Sequence, residues 1–113
     1  MLNKTLPWVA HYPDGVPAEI NPDLFDSIPA LFDTVAKTHG DKTAFVCMDR
    51  RLTYDEVNQY SKDFAGYLQT LPGLEPGDRV ALMMPNILQY IIALLGILRA
   101  GMIAVNVNPL YTA

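Results

Sequence analysis

Two segments of the chain repeat their apolar residues at the spacing of a helical face. In the first, the stripe begins after Ser27, which can cap a helix, and stops before Gly40, which can end it. In the second, Thr53 and Glu56 have the spacing of a capping box, which predicts a helix from about Tyr54 to Leu71. The predicted apolar stripe of this second helix contains Val57, Tyr60, Phe64, Tyr67, Leu68 and Leu71.

A short segment rich in strand-forming residues separates these helices. "TAFVCM" spans Thr43 to Met48, and the polar letters "DRR" stand between it and "LTY". This arrangement predicts a hairpin or a tight turn between two strands. The second strand should be short because a helix follows it at once.

The last third of the chain has the order strand, helix, strand. Arg79 to Met84 is apolar on both faces, the pattern of a buried parallel strand, and Met102 to Val107 is the second strand. Together with the helix between them, residues 79–107 have the length of a βαβ unit. Such a unit predicts parallel strands joined by a right-handed crossover.

The helix inside this unit is predicted from Ile87 to about Arg99. Asn86 can cap its start, with Gln89 at the capping-box position. Arg99 suits the negative end of the helix dipole, and Gly101 can adopt the positive φ that ends a helix.

The same helix is apolar nearly all round, which raises the question of a membrane span. In the window Ile87 to Val105, ten Ile, Leu or Val residues favour insertion by roughly 5 kcal/mol, but Arg99 and the glycines oppose it by a similar amount. A span needs about 20 continuous helical residues, and Gly101 interrupts this one. We therefore expect no transmembrane span, and peripheral membrane contact stays open.

A helix this apolar is normally covered on more than one side. The arm and two other helices are few elements to cover it and both faces of a parallel sheet. We therefore expect the chain to be incomplete, and to expose apolar surface unless it associates with itself or with further residues.

Four prolines divide residues 1–26, and proline disfavours helix both at its own position and before it. These residues are predicted to form an extended arm that precedes an α/β unit at residues 27–113. The aromatic residues Trp8, Tyr12 and Phe25 indicate that the arm lies on a surface. The first residues lack the apolar core of a secretory signal.

The charge and the cysteine count of the chain argue against several classes of function. The net charge is −4, so electrostatic attraction to nucleic acid has no support. Cys47 is the only cysteine, which excludes an internal disulfide and a multi-cysteine zinc site. A single cysteine within an apolar run suits a reducing compartment, and we predict a cytoplasmic location.

No residue emerges as a catalytic, cofactor-binding or metal-binding candidate. "PGLEPGD" has the glycines of a phosphate loop, but Pro76 removes an amide and two acidic residues repel phosphate, so a turn is favoured. The remaining polar candidates are interpreted as surface, helix-start or packing residues: His11, His39, Asp23, Asp26, Asp55, Glu56 and Tyr54.

"NVNPLYT", residues 106–112, is the least ordinary polar segment. Polar residues at the carboxyl end of a parallel strand are where open α/β sheets tend to bind ligands. A turn that simply ends the strand, built on Asn-Pro, is the other interpretation.

The ordered segments "LTYDEV", "GDRVALMMPN" and "LLGILRAGMIAVNVNPLYT" resemble the N-terminal region of the AMP-forming adenylating enzymes. "EINPD" and "NVNPLYT" are similar to the corresponding parts of long-chain fatty-acid CoA ligases. The resemblance runs from about Tyr12 to the end, with Val57 as a minor departure where leucine is commoner.

This resemblance implies a fatty-acid CoA ligase that uses ATP, Mg and CoA to form an acyl-adenylate and then an acyl-CoA. It also implies a large domain of stacked α/β subdomains and a small mobile C-terminal domain, of which this chain supplies only the beginning. The family's phosphate loop, adenine-binding segment, ribose-binding aspartate and catalytic lysine have no counterpart here. We therefore expect an inactive scaffold, and the alternative is a small non-catalytic α/β interaction module.

Overall fold

The computed structural model describes residues 6–112, and its order of helices and strands is the predicted one. Residues 1–5 of the predicted arm and Ala113 lie outside the described residues. The elements are α1 (Ile28–His39), β1 (Thr43–Cys47), β2 (Arg50–Thr53), α2 (Tyr54–Thr70), β3 (Arg79–Leu82), α3 (Leu88–Arg99) and β4 (Ile103–Asn106). The α/β fold class, with a hairpin between two helices and a strand–helix–strand unit after them, is confirmed.

The first sheet is the antiparallel hairpin of β1 and β2. Its turn consists of two residues, Met48 and Asp49, and Met48 adopts a φ of +50°. Pairing resumes at once between Cys47 and Arg50. The prediction that "DRR" separates the strands was therefore wrong for both arginines, because a left-handed Met48 reverses the chain within two residues.

The second sheet pairs β3 with β4 in parallel, as predicted, from Arg79 opposite Ile103 to Leu82 opposite Asn106. Both strands are shorter than predicted. The expectation that β3 is buried on both faces was wrong, since Ala81 is exposed while Leu82 is buried. Helix α3 packs on this two-stranded sheet, and the residues that alternate away from it stay in water.

Two of the three predicted helix caps are present. Ser27 Oγ accepts from the Ala30 amide at 3.2 Å. Thr53 and Glu56 form the complete capping box, with bonds of 3.2 and 2.8 Å. The third prediction was wrong, because Ile87 rather than Asn86 precedes α3 and no side chain caps it. The Ile87 amide instead donates to the Pro85 carbonyl at 2.9 Å, and this turn moves the helix start by one residue.

Helix α2 buries part of the predicted stripe, since Val57 and Leu68 are buried and Phe64 and Leu71 pack against the core. Tyr60 and Tyr67 are 44% and 57% exposed, whereas Ser61 and Ala65 are buried. Small residues occupy the contact because α3 approaches closely there. A Cβ added to Gly96 of α3 would lie 3.0 Å from the Ser61 carbonyl oxygen.

Helix α3 lies at the centre of the fold. Of its residues only Gln89 is exposed, which confirms that this apolar helix is covered on several sides. The core around it combines residues of α2, β3, α3 and the turn between α3 and β4: Ala65, Leu68, Leu82, Ala93, Ile97, Ala100 and Met102. Within residues 6–112, no helix has both the length and the apolar content needed to cross a bilayer.

The described part of the arm contains a three-residue 3₁₀ turn, Val9–His11, followed by turns and bends. It is exposed along most of its length, and Trp8 retains 53% of its accessible surface. The division into an arm and an α/β unit therefore stays a prediction.

Candidate functional site

A groove of about 580 Å³ lies at the carboxyl ends of β3 and β4. It contains most of the segment singled out in the sequence, and its walls come from the end of β3, the start of α3 and the residues after β4. None of the lining residues carries a charge: Leu82, Met84, Pro85, Asn86, Tyr90, Asn106, Val107, Asn108, Pro109, Leu110 and Tyr111. This position is the one that open α/β folds use for ligands.

A hydrogen bond joins Tyr90 and Asn106, two residues that line the groove. The Tyr90 hydroxyl donates to Asn106 Oδ1 at 2.5 Å. Tyr90 is in the first turn of α3 and Asn106 is the last residue of β4. The bond therefore joins the helix to the strand end and holds the orientation of the residues that follow.

Asn108 makes the turn that follows β4. Its Oδ1 accepts from the Leu110 amide at 2.9 Å, and its carbonyl oxygen accepts from the Tyr111 amide at 3.1 Å. Val107 extends the parallel ladder by donating to the Leu82 carbonyl at 2.8 Å. The interpretation as a strand-ending turn is confirmed, and ligand binding at this edge stays a hypothesis.

The donor set of this groove does not fit ATP or its magnesium ion. A triphosphate is held by basic side chains or by amides turned inward from a glycine-rich loop, and Mg²⁺ by carboxylates. The groove offers amide and phenol groups between apolar walls. Among residues 6–112, no three His, Cys, Asp or Glu side chains are grouped so that they could hold a metal.

A partly buried polar cluster connects the three helices near the end of α3. Arg99, whose side chain is only 9% exposed, donates through two nitrogens to Asp33 at 3.0 and 3.3 Å. It also donates to Asn58 Oδ1 at 2.7 Å and to Ser61 Oγ at 3.0 Å. We call these four residues the Arg99 cluster. Each helix contributes to it, so the cluster sets how the helices lie against one another.

The charge of Arg99 acts on Asp33. The hydrogen bond from Arg99 lowers the pKa of the Asp33 carboxyl below its usual value, and partial burial opposes this. The positive charges of Arg99, Lys62 and Lys37 lower the pKa further, with Lys62 Nζ at 3.7 Å. Asp33 therefore stays ionised where it meets Arg99.

The sequence patterns did not predict the contacts of the Arg99 cluster. Arg99 was predicted only to complement a helix dipole, and its partners were not singled out as its contacts. A usable signal was present, since Ser61 and Asn58 lie one helical turn apart on α2. Their pairing with Arg99 nevertheless depends on the packing of three helices.

The other polar candidates have structural contacts. Glu56 belongs to the capping box, and the Asp55 amide donates to the Gly40 carbonyl at 3.0 Å. The Tyr54 ring lies 5.9 Å from that of Phe32, which confirms it as a packing residue. The structure does not bring these residues together with the groove.

Comparison with known proteins decides the family. The model of the AMP-binding enzyme family matches residues 32–113, which include most of α1 and every later element. The chain belongs to this family. The residues before 32, including the arm, lie outside the matched range.

Within the AMP-binding enzymes, the chain is similar to long-chain fatty-acid CoA ligases. It is 57% identical over 105 residues to the ligase of Salmonella typhimurium, an alignment that covers 93% of this chain and 19% of that protein. It is 39% identical over 106 residues to the ligase of Bacillus subtilis, covering 94% and 19%. The chain thus spans about a fifth of the length of these curated relatives.

Solved AMP-binding enzymes have the same fold. The N-terminal subdomain of NpsA from Klebsiella oxytoca matches with a TM-score of 0.72 at 27% identity, over 76% of this chain and 22% of that one. A benzoate CoA ligase from Burkholderia xenovorans matches with a TM-score of 0.70 at 33% identity, over 74% and 17%. The helices and sheets of this chain therefore have the fold of an N-terminal subdomain of this family.

Proposed function

We propose that this chain is the N-terminal part of an AMP-forming long-chain fatty-acid CoA ligase. The 57% identity to a bacterial ligase of that name, over 93% of the chain, supports this most directly. Such an enzyme uses ATP with Mg to convert a carboxylic acid into an acyl-adenylate and pyrophosphate. The thiol of CoA then displaces AMP. Fatty acid, ATP and CoA would be the substrates of the whole protein.

We assign this chain a scaffold role within that enzyme, with residues 1–26 as an arm and 27–113 as part of an α/β subdomain. Its uncharged groove lacks the donors that a triphosphate needs. Its partly buried Arg99 cluster makes contacts among its own helices. The groups that carry out the chemistry would come from the other four-fifths of the ligase.

Two measurements test this assignment. The 113-residue chain alone should give no fatty-acid-dependent exchange between ATP and pyrophosphate. A chimera in which it replaces the matching segment of the Salmonella typhimurium ligase should form acyl-CoA from a long-chain fatty acid at a rate within about tenfold of that ligase.

The ligase without this segment is the control, and it should be insoluble or inactive. Exchange activity in the isolated chain would contradict the scaffold role. A folded chimera that binds ATP but accepts no fatty acid would contradict the long-chain substrate.

Cytoplasmic location with peripheral membrane contact belongs to the same proposal. Each buried methylene of an acyl chain favours the bilayer by about 0.8 kcal/mol, so the substrate concentrates in membranes. Part of the chimera should sediment with membranes and be released by alkaline carbonate. Retention after carbonate would contradict peripheral contact.

A further inference from the structure

The arm lies within the match to long-chain fatty-acid CoA ligases. Residues 27–113 number 87, whereas the match to the Salmonella typhimurium ligase covers 105 residues and the match to the Bacillus subtilis ligase covers 106. Each match must therefore include most of residues 1–26. The match to the AMP-binding enzyme family, in contrast, begins at residue 32. The arm is thus shared with the long-chain ligases and lies outside the region that the family model matches.

Relatives named for other acids match over a shorter length. A CoA ligase of Mycobacterium tuberculosis, named for a propanoyl group that carries an octahydroindene ring, is 38% identical over 87 residues, or 77% of this chain. The benzoate CoA ligase of Burkholderia xenovorans matches over 74%. Overall divergence does not explain this, since the Bacillus subtilis ligase has nearly the same identity, 39%, and matches over 94%. The length of the match therefore follows the class of acid rather than the identity.

The described part of the arm presents apolar side chains and no permanent positive charge. Trp8, Tyr12, Ile20 and Leu24 are 53%, 40%, 86% and 64% exposed. Residues 6–26 contain neither Lys nor Arg, so they are poorly suited to bind a carboxylate or a phosphate. They are suited to hydrocarbon, of which each buried methylene contributes about 0.8 kcal/mol. Acids that differ only in chain length are distinguished through such methylene contacts.

We infer that the arm selects long acyl chains in the proposed ligase, and this rests on the proposed function. Apolar side chains of the arm, among them Ile20 and Leu24, contact methylenes that shorter acids lack. These side chains do not have to stay exposed in the whole enzyme, because other residues around an acyl chain cover the same surface. The arm thus adds specificity to the fold that the AMP-binding enzymes share, and it takes no part in the chemistry.

The double variant Ile20→Ser, Leu24→Ser, made in the chimera with the Salmonella typhimurium ligase, tests this directly. The kcat/KM with hexadecanoate should fall by about tenfold, since polar side chains replace two that contact the far methylenes. The kcat/KM with octanoate should change by less than about twofold. A loss of folded enzyme would lower both values equally, so the ratio of the two values isolates the effect of the arm on selectivity.

Two further variants of the chimera are controls. Ile20→Leu, Leu24→Ile keeps the apolar surface and should keep the preference for hexadecanoate. Val46→Ser, Met83→Ser removes side chains that are 59% and 56% exposed within the region that the family model matches, and it should leave the ratio unchanged. Thermal unfolding of each chimera establishes that the fold is retained.

Three results would overturn the inference. The first is an equal loss with both acids, which would give the arm a purely structural role. The second is an unchanged ratio in the Ile20→Ser, Leu24→Ser variant. The third is a change in the ratio only when phospholipid vesicles are added, which would place the effect of the arm at the membrane. A folded chimera that activates neither acid would instead contradict the proposed function.

Discussion

The α2–α3 contact and the sheet face that is turned away from α3 contain similar aliphatic residues but bury them to different extents. On the side of α2, Ile97 and Val57 are fully buried. On the sheet face that is turned away from α3, Ile103 and Val105 of β4 are 47% and 37% exposed. The residues at the α2–α3 contact are surrounded by α1, α2 and α3. The outer face of the two-stranded sheet within residues 6–112 has fewer neighbouring elements. Burial in this chain is therefore decided by which elements are available as neighbours, and hydrophobicity alone is a poor guide to it.

The same substitution on the two sides should have very different effects. Ile97→Ala removes buried methyl groups and leaves a cavity, so it should lower the free energy of unfolding by about 2–5 kcal/mol. Ile103→Ala, made on the exposed sheet face, should cost less than about 1 kcal/mol. Urea denaturation of both variants measures the difference. Similar losses would mean that the sheet face is covered in solution.

The Arg99 cluster extends the comparison from apolar to polar contacts. Arg99→Ala leaves Asp33, Asn58 and Ser61 without their shared donor. We expect a loss of about 2–4 kcal/mol, below the range for a fully buried pair because the Asp33 side chain is 37% exposed. Lys62→Ala is the control, since it removes the 51% exposed partner of the same carboxylate and should cost under about 0.5 kcal/mol. Equal losses would show that Arg99 contributes no more than a surface ion pair.

Local features of the sequence were sufficient to predict the elements. Ser27, Thr53 and Glu56 cap helices through bonds that span three residues, so their spacing alone carried the information. Gly101 adopts the predicted positive φ, at +78°. The start of α3 was misplaced because a turn at Pro85 replaces the side-chain cap.

The contact faces and the polar cluster could not be predicted in the same way. Tyr60 ranks above Ser61 in hydrophobicity, yet close approach of α3 selects the smaller residue for the interface. The bonds from Arg99 to Ser61 and Asp33 join positions 38 and 66 residues apart. No local pattern encodes such contacts, since they exist only once three helices have packed. The groove was easier to locate, because the ends of parallel strands meet at one edge of a sheet.

Gly96 lies in the α2–α3 contact, and Gly66 lies on the solvent face of α2. A Cβ at Gly96 would lie 2.7 Å from Phe64 Cδ1 as well as close to the Ser61 carbonyl, whereas nothing lies within 4 Å of one at Gly66. Gly96→Ala should therefore destabilise the chain by about 1–3 kcal/mol through crowding. Gly66→Ala should stabilise it by about 0.5–1 kcal/mol, because alanine restricts the unfolded chain. The midpoint temperatures of thermal unfolding of the two variants should shift in opposite directions. Shifts in the same direction would mean that α2 and α3 lie further apart than these distances indicate.

Acid should weaken the Arg99 cluster before it affects the apolar contacts of α3. The pKa of Asp33 is lowered in the folded chain, chiefly by the hydrogen bond from Arg99. Its unfolded pKa is about 3.9, so the ionised carboxyl stabilises the fold above that value and loses this contribution as the pH falls through the lower folded pKa. Because Asp33 is partly exposed, we expect this contribution to be at most about 1 kcal/mol.

Comparison with Asp33→Asn isolates the contribution of this one carboxyl. The difference in unfolding free energy between the unaltered chain and the variant should be constant near neutral pH and shrink from about pH 5 downward. In an Arg99→Met background the same substitution should produce a weaker pH dependence, because the group that lowers the pKa most is gone and only Lys62 and Lys37 still lower it. A difference that persists unchanged into acid would mean that Asp33 stabilises the helices by means other than its charge, and a pH dependence undiminished by the loss of Arg99 would mean that Arg99 is not the main cause of the lowered pKa.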